Sequence, residues 1–82
     1  MKKYIKNYVK HYNIGEQDIL LCKVCGRVAV DIHHITFKSD NGSDEVDNLI
    51  ALCRICHEKS HANIIKKEYL YEIINTDKTT IN

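Results

Sequence analysis

The sequence predicts a small α+β domain, a short β-hairpin between helices, stapled by a four-cysteine metal site. Three observations carry that prediction. The cysteines fall as two C-x-x-C pairs, Cys22 with Cys25 and Cys53 with Cys56. Between the pairs lie a β-branched and aromatic run, residues 28–37, and a brief apolar run, residues 49–52, separated by a polar loop. Outside the pairs, apolar residues recur at helical spacing. The order is helix, knuckle, strand, loop, strand, knuckle, helix.

Each element has its own signal. Tyr4, Ile5, Tyr8, Val9 and Tyr12 form one stripe of a helix over about residues 2–12, which Asn13-Ile14-Gly15 ends. Lys2, Lys3, Lys6 and Lys10 occupy the rest of its surface. Residues 28–37 read as a strand, 38–47 as a loop turning at Asn41-Gly42, and 49–52 as the returning strand. From Arg54 a helix is expected to about Asn63, and another over about 64–75, where Ile64, Ile65, Leu70, Ile73 and Ile74 supply apolar faces. Residues 75–82 read as a frayed tail.

A chain of 82 residues holds one domain, 1–82, with its core expected at about 20–66. So short a core is marginal and calls for a staple. Hydrophobic content of 44% and charged content of 28% argue against wholesale disorder. No apolar run is long enough for a membrane span, and the first residues lead into no signal-peptide apolar region. The formal net charge of +1 hides an uneven distribution: +4 over residues 1–12, −4 over 13–47 and +1 over 48–82. A sequence pI of about 7.7 argues, taken alone, against a nucleic-acid binder, but the uneven distribution does not exclude one whose contacts are local and salt-sensitive.

Two C-x-x-C knuckles complete a closed tetrahedral site, for which zinc is the first choice and iron an alternative. Gly26, directly after Cys25, suits the tight turn of the first knuckle. Disulfides or a redox pair are the competing uses, but nothing points to export and no βαβ pattern surrounds either pair. Metal binding at such a site is folding energy.

Four histidines cluster around this framework. His33 and His34 are adjacent on the expected first strand, so their side chains diverge. His57 and His61 are four apart on a helix and share a face, a spacing that suits a transition metal. The plainer readings are a core histidine beside an exposed one, and for His57 an alternative zinc ligand or a polar first-turn residue.

Cys22-x-x-Cys25-Gly26, Ile32-His33-His34-Ile35, Asn48-Leu49 and Leu52-Cys53-x-x-Cys56-His57-x-x-x-His61 together resemble the HNH endonuclease family. The similarity is to the branch whose ββα-metal (His-Me finger) core is braced by a four-cysteine zinc site, and it runs from about residue 22 to 61. It implies that His34 is the general base taking a proton from the attacking water, a task for which imidazole is suited near neutral pH. It implies His33 and His57 as ligands of one catalytic divalent cation, with His61 adding a further histidine to metal or phosphate. Asn48 would fix the loop and orient the base. The implied reaction is hydrolysis of DNA phosphodiesters to 5′-phosphate and 3′-hydroxyl ends, with contacts mainly to the DNA backbone.

Two departures from the family pattern stand out. Phe37 occupies a position where many relatives have proline. His33 replaces the usual Asp, and nitrogen donors lean towards Zn, Ni, Co or Mn over Mg, so Mg2+, Mn2+, Ni2+ and Zn2+ all stay open. Asp31 could approach the site, although its plainer reading is a solvated strand-face residue. Lys2, Lys3, Lys6 and Lys10, and after them Lys59, are candidate DNA contacts or plain solvated charges. The alternative function is a zinc-ribbon module that binds nucleic acid or protein without catalysis, which would need none of His34, Asn48 and His57. The resemblance implies a bacterial or phage-encoded cytoplasmic enzyme. It would act as a monomer or homodimer, with a larger partner protein as a further option for specificity.

Overall fold

The computed structural model describes residues 2–80, with side chains to Thr76. Its frame is an antiparallel hairpin of β1 (Asp31–His34) and β2 (Leu49–Leu52), with Asp31 opposite Leu52, Ile32 opposite Ala51, His33 opposite Ile50 and His34 opposite Leu49. Helices α1 (Lys3–His11), α2 (Arg54–His61) and α3 (Lys67–Thr80) surround it. The result is an α+β domain consistent with the ββα-metal fold. No helix among the described residues is long and apolar enough to cross a membrane.

Alternation along the two strands sorts the core into two layers. Ile32, Leu49 and Ala51 face α1, where Tyr8 is buried and Tyr4, Ile5 and Tyr12 pack around it. The Tyr8 hydroxyl also accepts a hydrogen bond from the Ala51 N–H, 3.3 Å. Ile35, Ile50 and Leu52 face the other way, onto Cys56 of α2 and Leu70 and Ile74 of α3. All four β2 residues are fully buried, covered on both faces. β1 has β2 on one side only, so its outer edge is open.

The first strand is shorter than the run 28–37 because the extended chain changes partners. Val28 bridges Leu21, and the Ala29 N–H bonds the Leu20 carbonyl, closing a turn around the first cysteine pair. From Val30, whose N–H bonds Leu52, to Ile35, whose N–H bonds Asn48, the segment pairs with the second strand instead. The polar loop contains short 3₁₀ turns at Lys38–Asp40 and Val46–Asn48. At Gly42 an added Cβ would lie 1.8 Å from the Thr36 carbonyl oxygen, so only glycine lets the loop close on the strand end.

Helix α2 ends at His61, two residues before the expected stop, and Asn63 then adopts a left-handed conformation, φ 61°. That turn displaces Ile64 to the surface, 69% exposed, and delays α3 to Lys67. The expected frayed tail over 75–82 is helical as far as Thr80, while Ile81 and Asn82 lie outside the described residues.

Candidate active site and metal clusters

The four cysteine sulfurs lie within 4.8 Å of one another. Cys22 starts a turn in which its N–H bonds the Arg27 carbonyl and the Gly26 N–H bonds the Cys22 carbonyl, with Gly26 at φ 83°. Cys53 caps α2, its sulfur accepting the Cys56 N–H at 3.4 Å. The Cys25 and Cys53 sulfurs are 3.6 Å apart and all four thiols are free. Tetrahedral zinc with bonds of about 2.3 Å separates its sulfurs by about 3.8 Å, so this donor set fits a zinc ion. Burial pushes the Cys22 thiol up, yet the backbone groups of Cys53, Cys25 and Val24 outweigh it and bring it down to about 6. Burial and the neighbouring sulfurs push Cys56 up to about 12. Four sulfurs this close resist ionising together, a conflict that a bound cation removes.

A second cluster joins His33 of β1 to His57 and His61 of α2, with one ring nitrogen from each within 4.8 Å of the others. The three rings meet edge to face, His33 lying 5.0 Å from His57 and 5.3 Å from His61 between centroids. His57 and His61 bring their Nε2 atoms to 3.0 Å, as their helical spacing predicts. Burial, followed by the neighbouring imidazoles His57, His61 and His34, lowers His33 to about 4, so its nitrogens are neutral at physiological pH. Three imidazoles with a ring nitrogen each aimed at one region are a donor set suited to a transition metal. Phe37 stacks on His61 at 5.2 Å and 19°, and meets His33 edge-on at 5.9 Å. The aromatic ring at this position therefore walls the cluster.

His34 points to the opposite face from His33, beside the Tyr4 ring of α1 at 4.5 Å. Both histidines nevertheless line one cleft of about 230 Å³ at the open edge of β1, together with Tyr4, Asp31, Phe37, Lys38, His57 and His61. The His34 Nε2 lies 2.9 Å from the Asp44 carboxylate. Lys38 donates to the other oxygen of Asp44 at 3.1 Å. These hydrogen bonds from His34 and Lys38 hold the Asp44 carboxyl below the usual carboxylate range.

Asn48 is buried and its four side-chain hydrogen bonds knit the loop together. Its oxygen accepts from the Thr36 N–H at 2.8 Å and from the Tyr71 hydroxyl at 2.7 Å. Its amide donates to the carbonyls of Thr36, 3.0 Å, and Ser43, 2.9 Å. Asn48 reaches His34 through neighbours on two sides: Ser43, beside Asp44, and Ile35, whose N–H bonds the Asn48 carbonyl.

Three side chains at the site go beyond the expected set. Asp31 is bonded through its carboxylate to His57 Nδ1 at 2.9 Å, in place of facing solvent alone. Its two-residue spacing from His33 puts both on one strand face, which is the signal in the sequence. Asp44 and Tyr71 arrive from the loop and from α3, and no local pattern marks them. Lys2, Lys3, Lys6, Lys10 and Lys59 are all exposed and line neither the cleft nor the cysteine cluster.

Residues 22–63, just over half of the chain and the stretch holding both clusters, match the family model described as HNH endonuclease. The chain belongs to the HNH endonuclease family. A curated relative, the type IV methyl-directed restriction enzyme EcoKMcrA of Escherichia coli (strain K12), is 29% identical over 79 residues. That match covers 84% of this chain and 28% of the relative, so the chain spans little more than a quarter of the relative's length. No solved structure gives a significant match.

Proposed function

We propose that this HNH domain is a metal-dependent DNA endonuclease or nickase, with His34 as general base and a cation site made by His33, His57 and His61. The observation that carries the reading is the convergence, on one cleft, of His34 and the three-histidine cluster from opposite faces of the same strand. A non-catalytic zinc ribbon has no use for that convergence. A divalent cation bound there would supply Lewis-acid stabilisation of charge developing on the phosphate. The three nitrogen donors favour Mn, Co, Ni or Zn over Mg.

The chain's own residues then have distinct tasks. His34 takes the proton of the attacking water. Asp31 accepts a hydrogen bond from His57 Nδ1–H, which fixes the tautomer that leaves Nε2 free as a donor to the cation. Asn48 anchors the loop over the strand end. The four-cysteine cluster, as a structural zinc site, holds the start of α2 against the first knuckle, and through α2 it sets where His57 and His61 stand. Lys2, Lys3, Lys6 and Lys10 form an exposed basic face on α1, whose opposite face packs on the hairpin, and Lys59 adds to the charge on α2. These lysines suit contact with DNA phosphates, which gives affinity without reading sequence.

The test is cleavage of supercoiled plasmid by the purified chain with Mg2+, Mn2+, Ni2+ or Zn2+, beside His34→Ala. The variant is expected to lose about 10²–10⁴-fold in rate, the usual scale of general-base catalysis. Equal cleavage by the variant would remove His34 from that role, and no cleavage with any metal would favour the binding-module reading.

A further inference from the structure

We propose that Asp44 is a positioning residue that sets the tautomer and aim of His34, an inference that rests on reading His34 as the general base. A carboxylate accepts hydrogen bonds and donates none, so the 2.9 Å contact requires the proton of His34 to sit on Nε2. In the neutral ring Nδ1 then carries the lone pair, and it is the nitrogen left to act on water. Without that contact a neutral imidazole divides between two tautomers, only one of which has the base on Nδ1.

The loop is built to hold this carboxylate still. The Asp44 carbonyl accepts from the Asn7 side chain of α1 at 2.9 Å, and the preceding carbonyl, of Ser43, accepts from Asn48. The second carboxylate oxygen takes Lys38, and the Tyr4 ring packs against His34. A residue on a surface loop is thus tied to the first helix, to the strand end and to the base itself, where loops are ordinarily more mobile than the elements they join. Asp31 stands in the same relation to His57, so two carboxylates orient two histidines with different duties, one on each face of β1.

Two measurements on the full chain decide the proposal. Long-range 15N–1H NMR of the wild type should show His34 as the Nε2–H tautomer; an Nδ1–H form or an even mixture overturns it, whether or not the protein cuts DNA. Asp44→Asn keeps the size of the side chain but can turn its NH2 to Nε2 and stabilise the wrong tautomer. In that variant the cleavage rate of bound plasmid, with Mn2+ or Ni2+, should fall at least about 100-fold, within the scale of lost general-base catalysis, while KM stays within about twofold. Unchanged cleavage, or weaker DNA binding with an unchanged rate once bound, overturns it. Should the wild type cut nothing, the proposed nuclease function fails while the NMR result still decides the Asp44–His34 link.

Discussion

The two clusters of candidate metal ligands meet α2 at successive turns, Cys53 and Cys56 at its start and His57 and His61 after them, and are built on different plans. The cysteine cluster draws its members from a turn and from the start of α2, has three of its four members buried, and has the Cys56 N–H bonded to the Cys53 sulfur. The histidine cluster borders an open cleft, grades from buried His33 to exposed His61, and has a side-chain carboxylate, Asp31, behind one ligand. A closed donor set surrounds an ion completely and returns the binding energy as stability. An open one leaves room for a substrate oxygen, at the cost of weaker holding. One helix therefore carries a closed candidate metal site, the fixed point, at its start and an open candidate site, the working site of the proposed function, further along.

Removing the fixed point should have the largest effect. Cys53→Ser is expected to abolish cooperative thermal unfolding, followed by circular dichroism, because it removes one metal ligand and the cap of α2 together. His57→Ala should keep a cooperative transition. If the two variants behaved alike, the division of labour between the clusters would be wrong.

A change behind the working site should be smaller and confined to it. Asp31→Asn is expected to weaken Ni2+ or Mn2+ binding to the zinc-loaded chain by about 10–100-fold, measured by calorimetry, with little change in the thermal midpoint. An unaltered affinity would mean that the Asp31 contact does not orient His57.

The subtlest effect concerns protons at the open cluster. Burial holds His33 at about 4 in the fold, against its ordinary value of 6.5. Between those values the unfolded chain takes up a proton that the native one refuses, so the stabilising contribution is complete above about pH 6.5 and is lost as pH falls towards 4. Urea denaturation without added cleft metal should show stability declining over that window, and His33→Phe should flatten the slope by up to one proton. An identical slope in the variant would show that His33 takes up its proton as readily in the fold as in the unfolded chain.

Much of this arrangement was legible in the sequence, for reasons that differ residue by residue. The cysteine pairs and His57 with His61 are local spacings, and local spacing survives folding. The second strand was readable at residues 49–52 because a fully buried strand is apolar throughout. The first was over-extended because propensity marks residues 28–37 as strand without saying that residues 28–29 pair with one partner and 30–35 with another. Asp44 and Tyr71 reach the site from a loop and a distant helix, so only the tertiary fold reveals them. Asp31 had a signal, the two-residue alternation with His33, but an acidic residue on a short strand reads more readily as solvated.

The change of partner along residues 28–35 has a consequence for fidelity. Four residue pairs are a weak specification of register, and a slip of one residue would exchange the surroundings of His33 and His34. The turn around Cys22 and Cys25 is continuous with β1, and the Lys23 N–H bonds the Ala51 carbonyl of β2. Closing the four-sulfur site on Cys53, the residue after β2, therefore indexes both strands from the same end. The four-cysteine cluster thus works as a reading frame, favouring the register in which His33 faces α2 and His34 faces α1 and the loop.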